Sequence, residues 1–217
     1  MNQQHEYIGT RKLLIGIVLA VITFWLFANS LINVIPNLQT SFGSYLSTIS
    51  IAVSLTALFC GMFVVGAGSL ADYFGRVRLT IIGLWLNIFG SLLIIVSDYI
   101  PLLLMGRAIQ GLSAALIMPA TLSLIKAYYH GDKRQRALSL WSIGSWGGSG
   151  FASLFGGMIA TFLSWRWIFV FSIIVPLIAV LLIKGTPESK NQHASSRQFD
   201  IVGLLSLIHI SEPTRRR

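Results

Sequence analysis

A short polar segment between two long apolar stretches of the sequence carries Asp72 and Arg76. Because the two residues are one helical turn apart, the carboxylate and the guanidinium can form an ion pair. Asp72 could also cap the N-terminus of a helix, where the helix dipole favours a negative charge. Gly68 and Gly75 stand on either side of this acid and permit tight backbone turns. We therefore predict a charged turn near a membrane surface.

A third charged residue, Arg107, lies within an apolar stretch. It stands about six residues into the expected helix, or roughly 9 Å along the helix axis. A charge at that depth in a bilayer is costly and marks a functional site by default. Gln110 lies one turn further on the same side, directly before Gly111, and could orient the guanidinium. The alternative is that the arginine extends to the outer surface and leaves only its stem in the membrane.

Small residues recur every four positions in a later apolar stretch, at Gly144, Gly148, Ala152 and Gly156, with Gly157 beside the last of them. At helical spacing they form a smooth face against which another helix can pack closely. Simple helix packing and a specific gating role are equally consistent with this pattern.

The first apolar stretch contains Asn29 and Asn33, which would share one face of a helix. They could line a polar path for a substrate or form hydrogen bonds between helices. Trp25 is one of several aromatic residues that could contact a lipophilic cation, although lipid contact and packing are the simpler explanation. Neither an acid nor a histidine lies deep in any of the apolar stretches.

Membrane-spanning helices are the elements that must position these residues. Of the 217 residues, 54% are apolar and 11% are charged, whereas a soluble domain carries roughly 25% charged residues. Because backbone groups in lipid must be hydrogen-bonded within their own segment, the sequence predicts an all-α membrane protein with six transmembrane helices. The predicted spans cover about residues 13–35, 46–68, 79–97, 101–125, 137–163 and 167–183, and residues 36–45 form an external connection.

The formal net charge of +9 could suggest a nucleic-acid partner, but the positions of the cations argue against one. If the six spans alternate in direction, Arg166 is the only cation of the first 197 residues on the outer side. This bias indicates a cytoplasmic N-terminus. The cations on the inner side are Arg11, Lys12, Arg76, Arg78, Lys126, Lys133, Arg134, Arg136, Lys184, Lys190 and Arg197.

The domain organisation follows from these spans. We expect a cytoplasmic N-terminus (1–12), a six-helix bundle (13–183), a cytoplasmic linker (184–198), the start of a seventh span (199–205) and a tail (206–217). The tail resembles a translated sequencing adapter, so we expect it to be non-native. Pro36 and Pro119 each stand late in the first helix of a three-helix set, which suggests a 3+3 inverted repeat.

Several of these segments resemble the major facilitator superfamily of secondary transporters. Residues 68–76 follow its loop pattern G-x-L-A-D-x-x-G-R, and residues 105–115 are similar to its pattern l-x-R-x-x-Q-G-x-x-A-A. The run Ser164 to Phe169 and the apolar restart at residue 199 resemble the fourteen-span drug:proton antiporters of this superfamily. The resemblance covers about residues 13–205 and identifies the chain as the N-terminal half of such a protein.

The resemblance implies roles for the residues singled out above. Gly68, Asp72, Gly75 and Arg76 would form a cytoplasmic latch, and Arg107, with Gln110 and Gly111, would take part in proton coupling. The implied partners are a small lipophilic or cationic substrate, protons, the lipid bilayer of the plasma membrane and the missing C-terminal half. No nucleic acid and no cofactor are implied.

Three departures from the family pattern limit this reading. Tyr73 and Val77 stand where the family often has cations, so the latch could be weaker or differently tuned. Ala152 and Ser153 replace the Gly-Pro pair of the antiporter motif in span five, which should leave that helix less kinked. The first span lacks the aspartate that the fourteen-span family usually carries.

Three functions remain open at this point. The first is half of a proton-coupled drug exporter, and the second is a metabolite facilitator on the same fold. The third is a complete six-span membrane sensor or assembly protein. An enzyme is not expected, because the sequence has one cysteine, Cys60, and no metal-spaced His or Cys cluster, phosphate loop or nucleophile with a base.

Overall fold

A computed structural model describes residues 7–189, apart from the side chains of Phe27, Ala28 and Ala160. This range consists of helices joined by short connections and contains no strand. The helices are α1 (Arg11–Ser30), α2 (Ile35–Phe42), α3 (Leu46–Phe74), α4 (Arg76–Ile95), α5 (Ile100–Tyr128), α6 (Gly131–Ser142), α7 (Gly148–Phe162) and α8 (Arg166–Ile183). A 3₁₀ turn (Leu31–Val34) joins α1 to α2, and a π-helical turn (Ile143–Gly147) joins α6 to α7.

Within residues 7–189, five helical segments are long and apolar enough to cross a membrane. They are Arg11–Phe42, α3, α4, α5 and α8. The predicted fifth span is helical as well, but the π-helical turn divides it into α6 and α7, and neither reaches that length alone. The all-α fold with six spans is therefore confirmed.

Two predicted connections are helical in the structure. Pro36 stands in the first turn of α2, where its missing N–H needs no partner, and this helix continues to Phe42 rather than forming a loop. Gly68 lies within α3, because no helix-breaking residue follows it before Gly75. The turn itself is made at Gly75 alone, whose φ of 114° favours glycine.

The helices pack in a pattern that supports the inverted repeat. Helix α5 lies between α3 and α4, while α1 packs against both α7 and α8, and α4 also contacts α8. Exchanging spans one, two and three with spans four, five and six leaves this set of pairs unchanged. Two three-helix units related by such an exchange are what a 3+3 repeat requires.

The interior contains two main groups of buried side chains, one at each end of the bundle. One surrounds Leu13, Ile117 and Ile183 near the charged turn, and the other surrounds Leu38 and Phe169 at the opposite end. The residues between them include the buried polar groups described below. Because lipid tails are as apolar as leucine, close packing and hydrogen bonds between helices carry much of the association. The predictions for residues 1–6 and 190–217, including the seventh span and the tail, concern residues outside the described range.

Candidate functional site

Arg107 on α5 is buried, with 1% of its surface exposed, and points toward α3 rather than toward the membrane surface. Its Nε donates to the Ala52 carbonyl at 3.2 Å, and Nη2 donates to the Val53 carbonyl at 3.3 Å. Its Nη1 donates to Oε1 of Gln110 at 2.9 Å. The structure therefore places Arg107 and Gln110 together as predicted and does not favour the alternative of an extended arginine. No ion pair among residues 7–189 includes Arg107.

Gly111 explains why the guanidinium can reach the backbone of α3. A Cβ atom at this position would lie 2.6 Å from the carbonyl oxygen of Thr56, so only glycine lets the two helices approach so closely. In the same contact, Oγ1 of Thr56 donates to the Arg107 carbonyl at 3.1 Å. Helix α3 thus supplies both the acceptors for the guanidinium and a hydrogen bond to the backbone that carries it.

Gln110 continues the polar network away from Arg107 and across α4. Its Nε2 donates to Oγ of Ser91 at 2.9 Å, and that hydroxyl lies 3.1 Å from Oγ of Ser172 on α8. The Nδ2 of Asn87 donates to both the carbonyl and the hydroxyl oxygen of Ser172, at 2.8 and 3.1 Å. Asn87, Ser91 and Ser172 were not predicted from the sequence. The sequence pattern that could have predicted two of them is the i, i+4 spacing of Asn87 and Ser91 inside an apolar span.

The predicted ion pair forms at the junction of α3 and α4. One carboxylate oxygen of Asp72 accepts from Nη2 of Arg76 at 2.8 Å and from Nε at 3.0 Å. The arginine also donates from Nη1 to the Ser189 hydroxyl, at 3.2 Å, and its backbone N–H donates to the Ser189 carbonyl. The segment that follows α8 is thus bound to this turn.

Glu188 caps α4, a role that the sequence analysis considered for Asp72. Its two carboxylate oxygens accept from the backbone N–H groups of Val77 and Arg78, at 2.9 and 3.0 Å. The carboxylate therefore lies at the positive end of the helix dipole. A side chain at Gly75 would collide with Glu188. The sequence shows that Glu188 is the first acid after span six. It does not show that the chain turns back to α4, so the cap could not be predicted.

Replacing Glu188 with alanine should destabilise this end of the bundle. Two backbone N–H groups of α4 lose their acceptor, and loss of a capping side chain costs about 1 kcal/mol. We expect the full-length protein carrying Glu188→Ala to unfold at a lower temperature in detergent. Asp132→Ala is the matched control, since Asp132 lies in the first turn of α6 on the same side of the bundle. Equal unfolding temperatures for Glu188→Ala and the unmodified protein would contradict the assigned cap.

The face of small residues in span five packs against α1. A Cβ at Gly144 would lie 3.3 Å from Val18, and one at Gly148 would lie 3.3 Å from the Cβ of Trp25. At Gly156 a Cβ would lie 2.6 Å from the Ser30 carbonyl.

Ala152 and Gly157 differ in their relation to this contact. Ala152 is buried in it, and its carbonyl accepts from Oγ of Ser30 at 3.1 Å. Gly157 has open space around its Cβ position, so it lies outside the packed face.

The three candidates for a substrate path lie in different surroundings. Asn29 donates to the Trp25 carbonyl at 2.8 Å and lies 3.5 Å from the Ser149 hydroxyl, which favours a role between helices. Asn33 lies in the 3₁₀ turn and is exposed. Trp25 stacks on Trp146 with ring centroids 5.8 Å apart.

The comparison with protein families decides the assignment. A family model described as Major Facilitator Superfamily matches residues 13–214. The chain belongs to the major facilitator superfamily. Among its relatives, quinolone resistance protein NorB of Staphylococcus aureus (strain JH9) is 66% identical over 200 residues, which are 92% of this chain and 43% of that relative. The protein of the same name from strain Newman gives the same values. The chain thus spans less than half the length of these curated relatives.

Solved structures of the superfamily show the same fold at low sequence identity. A peptide transporter in complex with sulfate superposes with a TM-score of 0.72 at 15% identity, covering 97% of this chain and 49% of that structure. A D-xylose–proton symporter superposes with a TM-score of 0.67 at 15% identity, covering 92% of this chain and 52% of that structure. In both cases the described bundle corresponds to about half of a transporter.

Proposed function

We propose that this chain is the N-terminal half of a secondary transporter that exports lipophilic or cationic drugs in exchange for protons. Membership of the superfamily and the 66% identity to a quinolone resistance protein support the substrate class. The observation that carries the coupling is the buried guanidinium of Arg107, which is held by carbonyl groups and an amide. Function would require the C-terminal half, whose helices would complete the substrate cavity.

Arg107 would act as a fixed positive charge in the interior of the carrier. A nearby cation favours the ionised form of a carboxylate and so lowers its proton affinity. The described acids all lie at or beyond helix ends: Asp72 in the last turn of α3, Asp98 between α4 and α5, Asp132 in the first turn of α6 and Glu188 after α8. The group that carries the proton would therefore belong to the other half, unless Asp72 serves, and movement of the two halves would change its distance from Arg107.

The ion pair between Asp72 and Arg76 would form part of a latch on the cytoplasmic side. The excess of cations at this end of the bundle supports a cytoplasmic N-terminus. Glu188 and Ser189 would hold the latch in place from the segment that leads to the second half. Two helical bundles that rock around a central pocket would then open on alternate sides of the plasma membrane, with the latch closing the inner side.

A metabolite facilitator on the same fold is the second candidate. Span one has no acid around Asn29, in the region where an antiporter of this kind usually has one. Span five has Ala152 in place of a glycine of the antiporter motif. Both departures remove features that the resemblance associates with exchange. A facilitator would move its substrate down a gradient and would need no proton-binding group.

Export assays distinguish the two candidates. We expect cells that express the full-length protein to export a quinolone and a lipophilic cation, because these molecules match the proposed substrate class. Export should stop when an uncoupler removes the proton gradient. Efflux that continues in the presence of the uncoupler, or movement of a hydrophilic metabolite alone, would contradict proton-coupled drug export and favour the facilitator. Cells with the empty vector provide the control for passive leakage.

A further inference from the structure

We infer that Ser172 on α8 is a positioning residue for Arg107, acting through Ser91 and Gln110. The inference rests on the proposed role of Arg107 in transport. None of the residues beyond Gln110 belongs to the sequence pattern that drew attention to span four. The structure nevertheless joins them into one continuous polar chain that begins at the guanidinium and ends on a different transmembrane helix.

The hydrogen bonds of this chain have a fixed direction. Arg107 can only donate, so the oxygen of the Gln110 amide must face it and the NH₂ group must face away. That NH₂ group donates to Oγ of Ser91 at 2.9 Å. With its oxygen engaged by Gln110, Ser91 has its own proton free to donate to Oγ of Ser172, 3.1 Å away. Each hydrogen bond thus restricts the orientation of both groups that it joins.

Asn87 holds the far end of the chain in place. Its Nδ2 donates to two oxygen atoms of Ser172, one on the backbone and one on the side chain. Ser172 and Ser91 have no exposed surface, and Asn87 and Gln110 are each 5% exposed. Water is therefore a poor substitute for any member of the chain, and a missing acceptor would leave a buried donor unsatisfied.

The consequence for Arg107 is electrostatic. A glutamine amide whose oxygen points at the guanidinium stabilises the positive charge, whereas a rotated amide would present its NH₂ group to another donor. The bonds to α3 hold the opposite side of the guanidinium through Ala52 and Val53. Arg107 is thereby held between α3 and a relay that crosses α4 to α8. A shift of α8 relative to α4 would break the bonds to Ser172 and so remove the support that holds Ser91 against the Gln110 amide.

The test compares two serine variants in the full-length protein reconstituted in vesicles with a fixed proton gradient. Ser172→Ala removes the end of the relay. Ser113→Ala is the matched control, because Ser113 is also buried and donates to the Gly83 carbonyl between α5 and α4, outside the relay. Export of a quinolone is measured to obtain kcat and KM, and the unfolding temperature of each variant is recorded.

We expect Ser172→Ala to lower kcat about fivefold or more, as loss of a hydrogen bond that supports a charged group predicts, with KM nearly unchanged. Ser113→Ala should keep its kcat even if its unfolding temperature falls. A double-mutant cycle then combines Ser172→Ala with Ser91→Ala. Since either serine variant breaks the same relay, the double variant should be no slower than the slower single variant.

Two results would overturn the inference. One is a kcat for Ser172→Ala that matches the value for Ser113→Ala, and the other is an additive loss in the double variant. Failure of the proposed function would look different. In that case the unmodified protein would export no quinolone, or Arg107→Ala would export it at the normal rate.

Discussion

Arg107→Ala in the full-length protein is expected to abolish export driven by a pH gradient, with a loss of more than about a hundredfold in rate. This substitution removes the only charged side chain that is buried among residues 7–189. It leaves the oxygen of Gln110 without its donor and breaks the two bonds from the guanidinium to the backbone of α3. Hydrogen bonds to charged groups contribute roughly 1.5–3 kcal/mol each, and a hundredfold loss in rate corresponds to about 2.7 kcal/mol. The measurement is drug export from energised vesicles, normalised to the amount of folded protein.

Two further arginine variants make this result specific. Arg107→Lys keeps a positive charge, but a single ammonium group cannot donate to the α3 carbonyls and to Gln110 in the geometry of the planar guanidinium. Export should therefore be only partly restored. Arg166→Ala is the matched control. Arg166 also donates to carbonyls, those of Ile95 and Ser97, but its side chain is 36% exposed and lies beyond the C-terminus of α4. Normal export by Arg107→Ala, with normal expression, would contradict the role assigned to this residue.

Gly156→Ala is expected to destabilise the folded protein, and this is the second-largest effect that we predict. The new Cβ would lie 2.6 Å from the Ser30 carbonyl, which belongs to the backbone of α1 and cannot turn away. Overpacking of a closely packed contact costs typically 1–3 kcal/mol, and here it would also separate spans one and five. We expect a lower unfolding temperature in detergent and reduced export per folded molecule.

The adjacent glycine provides the control for this prediction. Gly157→Ala adds the same methyl group to the same helix at a position with no neighbour within 4 Å. Alanine is a better helix former than glycine by about 1 kcal/mol, so this variant should be as stable as the unmodified protein or slightly more stable. If the two variants unfold at the same temperature, the close contact at Gly156 does not hold the two spans together.

Much of the helical fold followed from residue patterns that act locally. Apolar runs of membrane length predicted the spans, and the spacing of Asp72 and Arg76 predicted their ion pair. The buried position of Arg107 beside Gln110 followed from helical spacing as well. In each case the partners lie within about one helical turn of each other, so the geometry of a single helix was enough to bring them together.

The features that were missed depend on contacts between distant parts of the chain. Glu188 reaches the start of α4 from more than a hundred residues away, and a sequence without its fold gives no sign of that return. Asn87, Ser91 and Ser172 are ordinary polar residues until α4 and α8 pack together. The helical α2 was missed for another reason. Pro36 suggested the end of a helix, but proline is equally suited to the first turn of a new one.

The proposed latch places the turn at Asp72 and Arg76 at the cytoplasmic opening of the carrier. Tyr73 stands beside the ion pair and is 59% exposed, so Tyr73→Cys, in a protein whose other cysteines are replaced, offers a reactive group at this position. A membrane-impermeant maleimide should label it from the cytoplasmic side alone, in inverted vesicles and not in intact cells. Addition of the drug should change the labelling rate as the opening closes and reopens. Labelling from outside intact cells alone would contradict both the orientation and the latch.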